Sequence, residues 1–397
     1  MRVVTGAGKT YLGLHLARHV RLKHPRARIL IVVPTLALMD QWHVSVVEDL
    51  GVSEDDIACY AGGYKADTKP RVVNISVVNT ARVIARRWMT SDIDGWMLIA
   101  DECHRYGSPV NKSVLELPYR WTLGLSATPE REFDTGFEEH LLPRLGDVIF
   151  DYNYDSARRD GVISPFALWN FRIPLLAKER EAYDHLTKRI GALYKTIVVE
   201  SRKNNRPVPS IKDVIVTGDH RLASPIRSLL LRRRSVSINA NFRLPSAARI
   251  AMDFRTHQIL MFHERISAAE SLHKLLLKTG LRSTIYHSKV SPVQRSLNLL
   301  MFRRGAAGVL VTCRALDEGL DVPEAEVGVV VASTRSTRQR IQRMGRVLRK
   351  ASGKDHAIVC TIYSTDAEEE DLRNEAAKLS DVAEIKWFQV GNPKGGS

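Results

Sequence analysis

Residues 28–33 read RILIVV, an arginine followed by five apolar residues with no polar alternation. A strand with one wet face alternates apolar and polar side chains. An unbroken apolar run belongs to a strand covered on both faces. Apolar-rich runs recur at 72–78 (VVNISVV), 96–100 (WMLIA) and 121–125 (WTLGL), with helical stretches such as 11–23 and 36–50 between the runs. Short buried strands separated by helices predict a parallel sheet flanked by helices over the first 150 residues.

The pattern weakens after Phe150. Residues 178–199 have the spacing of an amphipathic helix, and 201–209 (SRKNNRPVP) read as a polar loop. From Arg221 to Ile250 the chain carries Arg221, Arg227, Arg232, Arg233, Arg234, Arg243 and Arg249 and no acid. Such a stretch is either a solvated helical face or a surface for a phosphate backbone. Apolar strand candidates return at 259–262, 283–286, 308–312, 327–332 and 357–362. The expected organisation is an α/β domain over 1–153, a connection with a basic helical segment over 154–255, a second α/β domain over 256–390 and a tail at 391–397.

The composition narrows the partners. Lys and Arg total 59 against 44 Asp and Glu, a net charge of +15. A surplus of that size points to a polyanion, either nucleic acid or an anionic membrane surface. No apolar run reaches the roughly 18–20 residues that span a bilayer, and MRVVTGAGKT lacks the pattern of a signal peptide. Cys59, Cys103, Cys313 and Cys360 are far apart and show no metal-ligand spacing. A cytoplasmic protein with reduced thiols is therefore expected.

Two strings carry phosphate chemistry. TGAGKT, at Thr5, Gly6, Ala7, Gly8, Lys9 and Thr10, precedes a helix. Glycines let the backbone wrap a phosphate with its N–H groups inward, and the helix N-terminus favours negative charge. Lys9 would supply a point charge, and the Thr10 hydroxyl would bind Mg²⁺. The strict GxxxxGK spacing places a glycine where Val3 stands, so the string alone also fits a chance loop. Asp101-Glu102-Cys103-His104 then follows the apolar strand 97–100 directly. Buried acids cost several kcal/mol unless paired. A nucleotide-bound Mg²⁺ held by Asp101 would offset that cost, leaving Glu102 to orient and deprotonate the attacking water. A pair of helix-start acids is the plainer alternative.

TGAGKT, DECH and Ser126-Ala127-Thr128-Pro129, in that order on successive strands, resemble a superfamily 2 helicase of the DEAD/DEAH group. Residues 309–323 (VLVTCRALDEGLDVP) resemble motif V and 342–349 (QRMGRVLR) resemble motif VI. Pro34-Thr35 with Gln41-Trp42 resembles motif Ia, and residues 76–82 (SVVNTAR) resemble the next nucleic-acid-contact motif. Residues 259–262 are similar to motif IV, and the likeness runs from residue 5 to about residue 365. DGVISPF at 160–166 and KEREAYDHLTKRI at 178–190 tilt it to the branch of DNA-repair, phage-recombination and restriction-motor helicases.

The resemblance implies two RecA-like domains with ATP between them. It makes Arg346 and Arg349 arginine fingers on the γ-phosphate and gives Asp321 and Gln342 contacts to the nucleotide. Ser126 and Thr128 would couple hydrolysis to movement. Pro34, Thr35, Arg82 and Thr312 would face the nucleic-acid backbone. The implied activity is ATP- and Mg²⁺-dependent translocation or unwinding, on DNA more than RNA, with nucleoid association in a bacterium or phage. A restriction-type motor subunit, an RNA helicase and an ATPase-impaired annealing fragment are the alternatives. Relatives of this kind carry a helix and a glutamine-bearing motif before the phosphate loop, so the first domain is expected to be truncated at its N-terminus.

Overall fold

The computed structural model describes residues 1–4, 7–61, 69–89, 95–108, 110–127, 136–162, 165–313, 325–332 and 356–391. These residues fall into two compact units, one over Met1–Ile163 and one from Ser164 onward. Among them, no helix is long and apolar enough to cross a membrane.

The first unit holds β1 (Arg2–Val3), α1 (Lys9–Lys23), β2 (Arg28–Val33), α2 (Leu36–Glu48), β3 (Ile57–Tyr60), β4 (Val73–Val77), α3 (Val78–Trp88), β5 (Trp96–Asp101) and β6 (Trp121–Leu125). After them come the short α4 (Leu142–Leu145), β7 (Asp151–Tyr152) and α5 (Tyr154–Arg159). Five strands form a parallel sheet in the order β3-β4-β2-β5-β6. β1 bridges from Arg2 to Ser126 beside β6 and pairs with β7.

The unbroken apolar runs now have their cause. Ile29, Ile31, Val33, Met97, Ile99, Leu123 and Leu125 pack on one face against Leu14 and Ala17 of α1 and Met39, Trp42 and Val46 of α2. The alternate residues Leu30, Val32, Leu98 and Ala100 pack on the other face against Ala81 and Ala85 of α3 and against Cys103 and Tyr106. In a parallel sheet covered this way, the connections leaving the C-terminal strand ends gather along one edge. Pro34 and Thr35, Asp101, and Ser126 all leave at that edge.

The second unit holds β8 (Phe166–Arg172), α6 (Ala177–Lys203), α7 (Ile211–Thr217), α8 (Ala223–Ile238), α9 (Arg243–Asp253), β9 (Ile259–His263), α10 (Ile266–Lys278), β10 (Ser283–Tyr286) and α11 (Pro292–Arg303). It continues with β11 (Val309–Thr312), β12 (Val327–Ala332), β13 (Ala357–Tyr363), α12 (Asp366–Leu379) and β14 (Ala383–Gln389). Among the described residues, seven strands form a sheet in the order β10-β11-β9-β12-β13-β8-β14, with every pairing parallel. The expected α/β class with mainly parallel sheets therefore describes both units.

Segment 154–255, expected as a connection, contributes β8 to this sheet between β13 and β14. It also supplies a helical body, α6 to α8, whose own core is Leu186, Ile190, Ile197, Val214, Ile226 and Leu229. The arginines of 221–250 divide as well. Arg221 pairs with Glu200, and Arg249 with Asp253 at 3.2 Å. Arg243 is no surface group at all, being 1% exposed. It donates to the carbonyls of Ser237 (2.7 Å), Val331 (2.8 Å) and Ile362 (2.5 Å) and pairs with Glu368 at 2.5 Å. One guanidinium thus ties α9 to the ends of β12 and β13 and to α12.

Removing one partner of a buried ion pair strands the other. Arg243→Ala is expected to lower the stability of this unit by about 3–5 kcal/mol, seen as an earlier urea transition. Arg232→Ala, at an exposed position of α8, is expected to change it by less than about 0.5 kcal/mol.

Burial by itself would raise the Glu368 carboxyl, but Arg243 and the Ser364 amide hold it below its ordinary value of 4.5. A carboxyl depressed in the folded state gives stability above its unfolded pKa and loses it as pH falls through the folded value. Stability is therefore expected to drop as pH is lowered below 4.5, and to drop less steeply in Glu368→Gln, measured by urea unfolding across pH.

Candidate active site

The site in the first unit is built where β1 and β5 end. Gly8 precedes α1 with a φ of 78°, in the left-handed region. A Cβ there would meet nothing within 4 Å, so the requirement for glycine is conformational. Among the described residues, no side chain caps α1. Its first N–H groups are thus available to an anion, with the helix dipole behind them. Lys9 and Thr10 are the first two residues of the helix. Lys9 Nζ lies 3.4 Å from the Val3 carbonyl and 4.0 Å from Glu102 Oε1.

Asp101 closes β5 and is buried. Its Oδ2 accepts the Trp42 indole N–H at 2.8 Å, and its Oδ1 accepts the Glu102 amide at 2.9 Å. Burial, and then the charge of Glu102, push the Asp101 carboxyl above the usual carboxylate range, against the pull of Trp42 and Lys9. A buried carboxylate whose charge is disfavoured is matched chemically by a cation. With Lys9 for phosphate oxygens and the Thr10 hydroxyl nearby on α1, the donor set fits a Mg²⁺-bound nucleotide.

Glu102 has a φ of 50°, left-handed for a residue with a Cβ. Such backbone costs about 1–3 kcal/mol and persists where the surroundings fix it. Here the turn brings the carboxylate toward both Lys9 and His104. His104 Nδ1 lies 3.4 Å from Glu102 Oε2 and 3.1 Å from Ser126 Oγ. Lys9, Glu102, His104 and Ser126 therefore form a continuous polar chain across the ends of β1, β5 and β6.

Among the other expected residues, Thr35 caps α2 by accepting the Leu38 amide at 3.4 Å, directly after Pro34. Arg82, in α3, donates to Asn79 Oδ1 at 2.9 Å and to the Val110 carbonyl at 3.4 Å. Thr312 ends β11 in the second unit and is fully buried, its hydroxyl without a hydrogen-bond partner among the described residues. Thr5, Gly6, Thr128, Asp321, Gln342, Arg346 and Arg349 lie outside the described residues. Sequence reasoning assigned no role to Trp42 or His104. The signal was present only as the letters of the QW and DECH strings.

Residues 1–131 match the family described as type III restriction enzyme, res subunit, and residues 246–351 match the helicase conserved C-terminal domain. The chain is 26% identical over 359 residues to the DNA 3'-5' translocase XPB2 of Sulfurisphaera tokodaii, spanning 87% of this chain and 73% of that protein. It is 24% identical over 369 residues to the DNA 3'-5' helicase XPB of Kineococcus radiotolerans, where 92% of this chain covers 57% of the relative. In fold it is similar to the helicase domain of Pyrococcus furiosus Hef, with a TM-score of 0.57, 17% identity, and coverage of 95% and 94%.

The site also depends on close packing behind it. A Cβ on Gly13 of α1 would stand 3.0 Å from Trp42 Cη2 and 3.1 Å from Leu125 Cδ1. Both neighbours are fully buried and have little room to give. Gly13→Val is expected to destabilise the first unit by about 1–3 kcal/mol through overpacking, read as a lower thermal midpoint.

Proposed function

The chain belongs to the superfamily 2 helicases, and from that premise we propose that it couples ATP hydrolysis to movement along, or remodelling of, DNA. The observation that carries the reading is the polar chain from Lys9 through Glu102 and His104 to Ser126, beside a buried Asp101. Lys9 would bind the phosphates. Thr10 and Asp101 would hold Mg²⁺, which when bound neutralises phosphate charge. Glu102 would orient the attacking water and take its proton. Arg346 and Arg349 would stabilise charge on the γ-phosphate, an effect worth about 10³–10⁵ in rate where such arginines act. Thr5, Gly6, Ala7, Gly8, Asp321 and Gln342 would complete the nucleotide contacts, with Ser126 and Thr128 passing the nucleotide state onward.

DNA is preferred to RNA because the relatives just described are DNA translocases and helicases by name. Pro34, Thr35 and Arg82 would meet the backbone of the strand, whereas Thr312, fully buried, is left out of that surface. A motor that travels must not read sequence, so phosphate and sugar contacts should dominate, and binding should weaken as salt rises. The match of residues 1–131 to a restriction subunit supports a second reading, a motor within a restriction-type complex.

The test is ATPase rate with single-stranded DNA, duplex DNA, branched DNA and RNA in parallel. DNA is expected to stimulate hydrolysis, and Lys9→Ala and Glu102→Gln are each expected to lower it by about 10²-fold or more. Parent rates in both variants would remove the site assignment. Stimulation by RNA alone would make this an RNA helicase, and plasmid cleavage with ATP and Mg²⁺ would favour the restriction reading. Stimulation by none of the four would leave an annealing protein.

A further inference from the structure

Trp42 lies in α2, seven residues after the Thr35 cap, and its side chain is fully buried. A buried indole N–H must find an acceptor. Here the acceptor is Oδ2 of Asp101, at 2.8 Å, contributed by a strand 59 residues away in sequence. The far edge of the same ring packs on α1 at Gly13, one turn past the phosphate loop. A single side chain therefore touches both halves of the site, the helix behind the loop and the carboxylate at the end of β5.

The chemistry of the donor matters. Asp101 Oδ1 is held by the Glu102 amide and Oδ2 by the indole. Two N–H groups fix both oxygens, and with them the plane of the carboxylate, while lone pairs remain on each oxygen. Both donors are neutral. A lysine or arginine in place of Trp42 would cancel the charge and compete with a cation, whereas an indole orients the charge and leaves it in place.

We propose that Trp42 is a positioning residue for Asp101, whose indole N–H aims the carboxylate at the Mg²⁺ of a bound nucleotide. The proposal rests on the reading of Asp101 as the Mg²⁺ carboxylate. Outer partners of this kind change metal affinity by about 10–100-fold when removed.

The experiment measures binding of a fluorescent ADP to the full chain as Mg²⁺ is titrated, and again in EDTA. Trp42→Phe keeps an aromatic ring and removes the donor. It is expected to raise the Mg²⁺ concentration at half-saturation about tenfold, with metal-free ADP binding at the parent value. Ile99→Val thins the same packing layer with the donor in place and is expected to keep the parent Mg²⁺ dependence. A purely packing role would move both variants together, or would leave the Mg²⁺ midpoint of Trp42→Phe unchanged, and either outcome overturns the proposal. Asp101→Asn separates the two layers of argument. If it keeps the parent Mg²⁺ dependence, the reading of Asp101 fails. If it loses that dependence while Trp42→Phe does not, only the role of Trp42 fails.

A measurement on the parent protein needs no variant to fold. With the six tryptophans labelled with ¹⁵N, one solvent-protected indole N–H resonance is expected to shift when Mg²⁺ joins bound ADP, and to stay in place with ADP and EDTA. An indole spectrum unmoved by Mg²⁺ would also overturn the proposal.

Discussion

A sheet covered by helices on both faces admits a polar side chain along its strands only where its hydrogen bonds are met inside, as for Asn74 of β4, which accepts the Arg71 amide and donates to the Ile29 and Arg71 carbonyls. Every residue in the body of β2 is spent on one core or the other. Polar chemistry is pushed to the strand ends, and parallel pairing puts the C-terminal ends on a single edge. This constraint decides where Asp101, Ser126 and the Pro34-Thr35 turn must be before their chemistry is considered. It also explains why Asp101 is strained electrostatically. As the last residue of β5 it is still within the covered part of the strand, so it carries a charge with little water.

The surroundings answer that cost in two ways. Neutral donors, the Trp42 indole and the Glu102 amide, satisfy hydrogen-bonding capacity without removing charge. The left-handed turn at Glu102 carries the second carboxylate away toward Lys9 and His104. Two adjacent acids therefore sit in different environments. That division suits one acid for binding a cation and the other for handling a proton. A β-region φ at residue 102 would continue the strand and turn the Glu102 carboxylate to the face opposite Asp101.

What the sequence disclosed follows the range of its cues. The runs at 28–33 and 121–125 needed only local hydrophobicity, and the strands occupy those residues as read. β8 (FALWNFR) is also largely apolar, but its partners β13 and β14 lie about 190 to 220 residues further on, and nothing nearby advertises the pairing. The arginines at 221–250 were indistinguishable as letters, yet Arg243 is structural and Arg221 is paired. Charge counts thus overstate the surface, because a guanidinium that reaches several carbonyls can be worth more inside than out. At the site, string order exposed Lys9, Asp101 and Glu102. The bond from Trp42 to Asp101 was invisible, since helix α2 and strand β5 meet only in the folded unit.

His104 shows how closely the remaining polar groups are drawn together. Its Nδ1 stands within reach of both Glu102 Oε2 and Ser126 Oγ, at 3.4 and 3.1 Å. One ring nitrogen holds at most one proton, so it can donate to the carboxylate or to the hydroxyl, or accept from the hydroxyl, but cannot do all at once. The two arrangements differ in which of the two oxygens the ring proton faces. The ring thus joins the end of β5 to the end of β6 through one nitrogen.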